Sequence, residues 1–299
     1  MKLFLFISLT LFTTVLFSQK IGLVLSGGGA PGIAHIGVIK ALEENEIPID
    51  YITGTSIGAL VGGMYALGME PDEMISFFKS AAFRKWRRIN IRFQKGTILP
   101  YRMISSEKVQ QSLEMLTTQA QISLKVNFDS LFVPFRCVAS DIHNKRPYIF
   151  SQGNLATAIR ASMSYPFLFE AAVVDSVLLF DGGIYNNFPT DIMLHCFKPD
   201  FIIGSIVAYN PPKAGSGDIM MQLQNMIVQD TNYSISDSLG ISIQPDLKEI
   251  SVFEFSDIDG LVKIGYDETM QQMNAIKQKI NSCSTLNELQ LKRQSFKQK

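Results

Sequence analysis

Residues 20–69 read KIGLVLSGGGAPGIAHIGVIKALEENEIPIDYITGTSIGALVGGMYALGM, and the order of apolar and glycine-rich stretches here decides the fold. Ile21 to Leu25 is a short continuous apolar run ending at glycines, the pattern of a buried parallel strand. Ile33, Ile36, Val38, Ile39 and Leu42 then form a helical stripe that runs out in the polar stretch 43–46. Residues 49–53 read as a second strand and residues 56–67 as a second helix. Strand, glycine turn, helix, strand, tight turn, helix is an alternation that predicts an α/β fold. Its architecture is a three-layer α/β/α sandwich, with a mostly parallel central sheet covered on both faces.

Working outward, further strands are predicted at 135–140, 173–180 and 201–207. Helices are predicted at 72–82, 106–117, 155–162, 217–230 and 261–280, and TDIMLHCF also reads as helical. The loop 210–217, NPPKAGSG, is punctuated as a surface turn. The organisation expected is one domain over 20–280 and a polar C-terminal tail over 281–299, whose end QLKRQSFKQK is basic and frays or links onward.

Gly54-Thr55-Ser56-Ile57-Gly58 matches G-x-S-x-G. Three fixed positions carry little alone, but here a strand precedes them and a helix follows. Such a sharp turn exposes a serine hydroxyl, and the helix N-terminus beneath it favours developing negative charge. Gly27-Gly28-Gly29-Ala30-Pro31-Gly32 also fits the G-x-G-x-x-G of dinucleotide sites. The acid such a site needs belongs at the far end of the second strand, where the GTSIG turn stands; Asp50 is at its beginning. The loop reads better as an oxyanion hole of backbone N–H groups at a helix start. Pro31 has no N–H and serves to open the helix, so Gly28 and Gly29 are the donors expected, with Gly27 and Ala30 as neighbours.

Three histidines exist: His35, His143 and His195. His35 reads as a core contact and His143 as exposed, and His195 lies in a helical segment although it has the chain order of a Ser-Asp-His triad. Asp181-Gly182-Gly183 closes the apolar run 177–180. Desolvation would make Asp181 a usable proton acceptor, whereas Asp before glycines is also a common turn former; spacing leaves both open.

Lys+Arg and Asp+Glu are equal at 27 each, which argues against a nucleic-acid partner. Hydrophobic residues at 46% against 18% charged supply a sizeable core and exclude wholesale disorder. Residues 1–18 place Lys2 before an apolar run, the form of an export signal cleaved near Ser18, so the mature chain is expected outside the cytoplasm. Cys137, Cys196 and Cys283 have no CxxC spacing, which speaks against a disulfide framework or a zinc site. The segment FRKWRRINIRFQK, from Phe83 to Lys95, mixes cations with Trp86, Ile89, Ile91 and Phe93; it reads as a solvated basic loop or as a peripheral membrane contact. No feature specifies an oligomeric state.

Taken together, SGGGAPG, GTSIG and DGG, in that order, resemble the patatin-like phospholipase family, and the likeness runs over about 20–280. IRASMSYPFLF and YNNFP also look family-like. The resemblance implies a Ser–Asp dyad without histidine, with Ser56 as nucleophile and Asp181 as proton acceptor. The oxyanion loop would be Gly27, Gly28, Gly29 and Ala30, and Gly32, Gly54, Gly58, Gly182 and Gly183 would complete the motifs. It further implies phospholipid or another acyl lipid as substrate, cleavage of the phospholipase A type, and no metal or organic cofactor. The chain departs from the family at Pro31, where Arg or Lys is usual. Two other readings follow from the residues: an α/β-hydrolase-type esterase or thioesterase using His195, and a catalytically weak lipid-binding relative.

Overall fold

The computed structural model describes residues 19–298 except 87–88, 93–100, 124 and 167, and the backbone alone at 89–92, 101–104 and 220. An eight-stranded sheet organises these residues. Its strands are β1 (Ile21–Leu25), β2 (Tyr51–Thr55), β3 (Phe135–Asp141), β4 (Arg146–Phe150), β5 (Ala172–Val174), β6 (Val177–Asp181), β7 (Phe201–Ser205) and β8 (Gly240–Ile243). Strands β8, β7, β1, β2 and β3 lie side by side and parallel. β6 pairs antiparallel with both β3 and β5, and β4 pairs antiparallel with β3.

Side-chain alternation along β1 and β7 buries both faces of the sheet. Ile21, Leu23, Leu25 and Ile203 enter the larger core, whereas Val24 and Ile202 join Phe188, Met193 and Ile206 on the opposite face. The larger core is covered by α1 (Ala34–Glu44) and α2 (Ile57–Ala66). Against α1 lies α9 (Ile258–Lys279), the longest helix described. The two backbones approach so closely that a Cβ on Gly265 would stand 2.0 Å from the Ala34 carbonyl oxygen, and that contact requires glycine. The second face carries a thinner layer, α7 (Thr190–Cys196) with the chain around Phe188, Tyr233 and Ile235. The three-layer, mostly parallel architecture read from residues 20–69 is therefore the one observed.

The remaining helices are α3 (Pro71–Lys79), α4 (Ala81–Trp86), α5 (Ser106–Gln119), α6 (Leu155–Ser162), α8 (Ile219–Ile227) and α10 (Leu286–Lys297). Among the described residues no helix is long and apolar enough to cross a membrane.

Several expectations are corrected. The single strand expected over 173–180 is the hairpin β5–β6, because Asp175 and Ser176 take φ of 48° and 65° and turn the chain. The helix expected over 72–82 breaks at Ser80, whose extended ψ of 159° separates α3 from α4. The segment expected to fray carries α10. Its Arg293, buried, pairs with buried Glu43 and lies 5.4 Å over the Tyr65 ring and 5.3 Å over the Phe132 ring. This buried pair docks the helix together with Leu289 and Phe296, which pack against the larger core, and in a tail otherwise polar and basic those few apolar residues are a weak signal.

The basic-aromatic segment is described in part. Phe83 and Trp86 are buried, and their rings pack with Phe77, Phe78 and Phe255. These two aromatics serve the core and are not exposed anchors. Residues 87–88 and 93–95, and the side chains of 89–92, lie outside the description, as do residues 1–18 of the expected export signal.

Candidate active site

The register of β3 brings the serine and aspartate motifs together. Phe135 to Val138 pair with β2, and Ala139 to Asp141 pair with β6. β4 occupies the other edge of β3 across 137–141, so β2 and β6 share one edge and meet end to end. Thr55 is opposite Val138 and Asp181 is opposite the next residue, Ala139. Ser56, one residue past Thr55, consequently faces Asp181. Its Oγ donates to Asp181 Oδ2 at 2.6 Å.

Ser56 sits between β2 and α2 with φ 55° and ψ −121°, a conformation costly for a residue with a Cβ. Close packing holds it there. A Cβ on Gly58 would come 2.5 Å from the Leu25 carbonyl oxygen, and one on Gly54 equally near the Gly58 oxygen. Ser162, at the end of α6, adds a polar clamp. The Ser56 N–H donates to Ser162 Oγ at 2.8 Å, and that hydroxyl donates onward to the Val138 carbonyl at 2.5 Å. Ser162 is buried, and the sequence offered only its place in IRASMSYPFLF as a signal.

Asp181 is buried at the end of β6. Its Oδ1 accepts from the Gly183 N–H at 2.8 Å, and its own N–H is held by the Ser164 carbonyl. Burial pushes its pKa up to about 6, against the opposing pull of the Ser56 hydroxyl and the Gly183 N–H. Gly182 packs against the Val138 carbonyl.

The glycine loop divides by the fate of its N–H groups. Gly27 donates to the Asn187 carbonyl at 3.0 Å and Ala30 to the Val252 carbonyl at 2.8 Å, so neither is available to an oxyanion. Among the described residues no acceptor meets the N–H of Gly28 or Gly29. Gly29 has φ 64°, and Val252 crowds the place a Cβ would take, so glycine is needed. Pro31 is buried in the short 3₁₀ turn Ala30–Ile33, where a missing N–H costs nothing. Gly32 leaves room for Ile57 at the head of α2.

Asn187, in the YNNFP segment, links the loops. Its carbonyl holds Gly27, its side-chain oxygen lies beside Gly27 and Gly183, and its Nδ2 donates to the Tyr233 hydroxyl at 2.8 Å. Sequence spacing did not single it out.

No histidine joins this set. His35 is fully buried, with Nε2 donating to the Ser26 carbonyl at 2.9 Å and Nδ1 accepting from the Ser205 hydroxyl at 2.7 Å. Burial lowers its pKa to about 4, so it stays neutral and ties α1 to the end of β1. His143 is exposed in the turn between β3 and β4, and His195 is exposed near the end of α7. Cys137 is buried on β3, as a small hydrophobe would be.

A sequence-family model of the patatin-like phospholipases matches residues 23–194, from β1 into α7, and so spans the glycine loop, Ser56 and Asp181. The chain belongs to the patatin-like phospholipase family. Among its relatives in this family is lysophospholipase NTE1 of Mycosarcoma maydis, 36% identical over 179 residues, which are 60% of this chain and 9% of that protein. An uncharacterized NTE family protein of Mycobacterium bovis is 36% identical over 172 residues, 58% of this chain and 45% of that protein. The chain thus spans less than half the length of either relative. VipD of Legionella pneumophila shares the fold, with a TM-score of 0.52 at 15% identity over 86% of this chain and 67% of that one.

Proposed function

We propose that the chain is a serine lipid acyl hydrolase of the phospholipase A type. The observation that carries the reading is the 2.6 Å hydrogen bond from Ser56 Oγ to a buried carboxylate, in a constellation without histidine. Asp181 accepts the Ser56 proton while Oγ attacks the ester carbonyl. The N–H groups of Gly28 and Gly29 and the head of α2 stabilise the oxyanion. The protonated Asp181 then delivers its proton to the departing lysolipid alkoxide, leaving an acyl-enzyme. Water attacks that ester, its proton passes to Asp181 and on to Ser56 Oγ, and the fatty acid leaves. No step calls on a metal or an organic cofactor. The pKa of about 6 suits this cycle, since the carboxylate is ionised at neutral pH yet far more basic than an ordinary aspartate.

Incubating the protein with phosphatidylcholine and analysing the products by mass spectrometry tests the reading. Free fatty acid and lysophospholipid in equal amounts are expected; intact lipid alone would reject it.

Ser162 is expected to matter through Ser56. Ser162→Ala leaves the Ser56 N–H and the Val138 carbonyl unpaired and loosens the elbow, so kcat on a soluble ester should fall about tenfold with KM little changed. Ser162→Thr keeps the hydroxyl and should recover most of the rate. Equal losses in both variants would assign Ser162 to packing instead.

Export is part of the same proposal, supported by the apolar leader over 1–18. N-terminal sequencing of protein recovered from the producing cell is expected to begin just after Ser18; a chain starting at Met1 refutes cleavage.

A further inference from the structure

We infer that α8 and the turn around Phe253 form a docking surface for a zwitterionic lipid membrane at the mouth of the site. The inference rests on the lipid-substrate reading above and adds where the lipid phase is met and which charge it carries.

β1, β2, β7 and β8 are parallel, so the chain following each emerges at one edge of the sheet, the edge that holds Ser56. The connections after β7 and β8 are long, and both carry exposed apolar side chains. On α8, Ile219 is 69% and Met226 79% exposed, and none of the described side chains of this helix is buried. Seven residues apart, the two occupy one helical face. Phe253, 59% exposed, follows Val252 in the β8 connection.

Both features are pinned to the site. The Gln229 N–H, just past α8, donates at 2.9 Å to the carbonyl of Ile184, three residues beyond Asp181. Asn210 and Thr231 close the base of the α8 excursion, with side-chain-to-backbone bonds of 3.1 and 2.9 Å. On the other side, the Val252 carbonyl holds Ala30 of the glycine loop. Apolar groups that cost free energy in water thus border the Ser56 opening on two flanks. An apolar helix face lying in the headgroup boundary is a familiar way to meet a bilayer.

Charge selects the kind of bilayer. Residues 206–257, which hold both features, contain seven carboxylates and two ammonium groups, Lys213 and Lys248. Lys248 is drawn over the Tyr209 ring, with Nζ 5.3 Å from its centroid. Within this stretch the excess opposes an anionic membrane and leaves a zwitterionic one unopposed; Arg84 and Lys85 of α4, whose neighbour Phe83 packs on Phe255, are the exposed described cations beside it.

The test measures flotation of the Ser56→Ala protein with vesicles, so that lipid is not consumed. Binding to phosphatidylcholine vesicles should exceed binding to phosphatidylglycerol vesicles at low salt. In the same background Ile219→Ser/Met226→Ser/Phe253→Ser should lower phosphatidylcholine binding at least about tenfold, with Tm unchanged. Asp246→Lys/Glu249→Lys, at two exposed positions, should raise phosphatidylglycerol binding. Undiminished binding of the triple variant, or preference of the parent for phosphatidylglycerol, overturns the inference. Because binding is read without turnover, its failure is distinct from a failure of the unaltered chain to release fatty acid.

Discussion

Replacing Ser56 with Ala is expected to abolish acyl release, lowering kcat/KM by about 100,000-fold or more. Among the described residues Ser56 supplies the one hydroxyl bonded to the Asp181 carboxylate, and the strained elbow holds it there. Water could take the place of the missing Oγ, but without the covalent acyl-enzyme the two easier steps become one difficult step. A fluorophosphonate probe should label the unaltered protein at Ser56 and leave the Ala variant unlabelled. His195→Ala is the companion measurement. His195 is exposed on α7 and outside the carboxylate's hydrogen bonds, so near-normal hydrolysis is expected. A loss comparable to that of Ser56→Ala would restore the triad reading.

Asp181→Asn is expected to move activity and stability in opposite directions. An amide cannot take the serine proton, so kcat should fall about a thousandfold. In the unaltered protein the ionised carboxylate is the working form, and kcat/KM should climb between pH 5 and 7 with a midpoint near the raised pKa of about 6. The linkage sign follows from the same shift. The folded pKa of about 6 lies above the ordinary 3.8, so the folded state holds this proton more tightly than the unfolded chain. That contribution to stability is complete below the unfolded value and is lost as pH rises through the folded one. At pH 8 the buried, ionised group costs about 3 kcal/mol, which Asn does not incur. Asp181→Asn should therefore raise Tm by about 5 °C at pH 8 and by little at pH 4. Thermal melts at the two pH values check this; a lower Tm at pH 8 would contradict the desolvation cost.

Residues 20–69 made the core of the fold legible because its signals are local. A strand buried on both faces is a continuous apolar run, and a turn into a helix needs glycine where backbones meet. Elements on the periphery carried weaker signals. β4 follows a short turn and β8 a long connection, neither with a strong apolar run, and α10 is held in part by the pair of Arg293 and Glu43, 250 positions apart. The Asp175-Ser176 turn that divides β5 from β6 contains no glycine or proline, so its left-handed pair was invisible.

At the site, the sequence by itself determined that Ser56 stands on a strand-to-helix turn behind a glycine loop, and that Pro31 removes one donor from that loop. Each follows from residue type and immediate neighbours. Residue spacing left the acid open and the resemblance implied Asp181; the tertiary structure shows how it comes to lie against the serine, because the pairing depends on β3 offering Val138 to Thr55 and Ala139 to Asp181 along one edge. It also separated the free N–H groups of Gly28 and Gly29 from those spent at Gly27 and Ala30, whose acceptors come from Asn187 and Val252. Hydrogen-bond partners more than a hundred residues away leave no trace in local spacing, and a backbone donor is available only when no such partner reaches it.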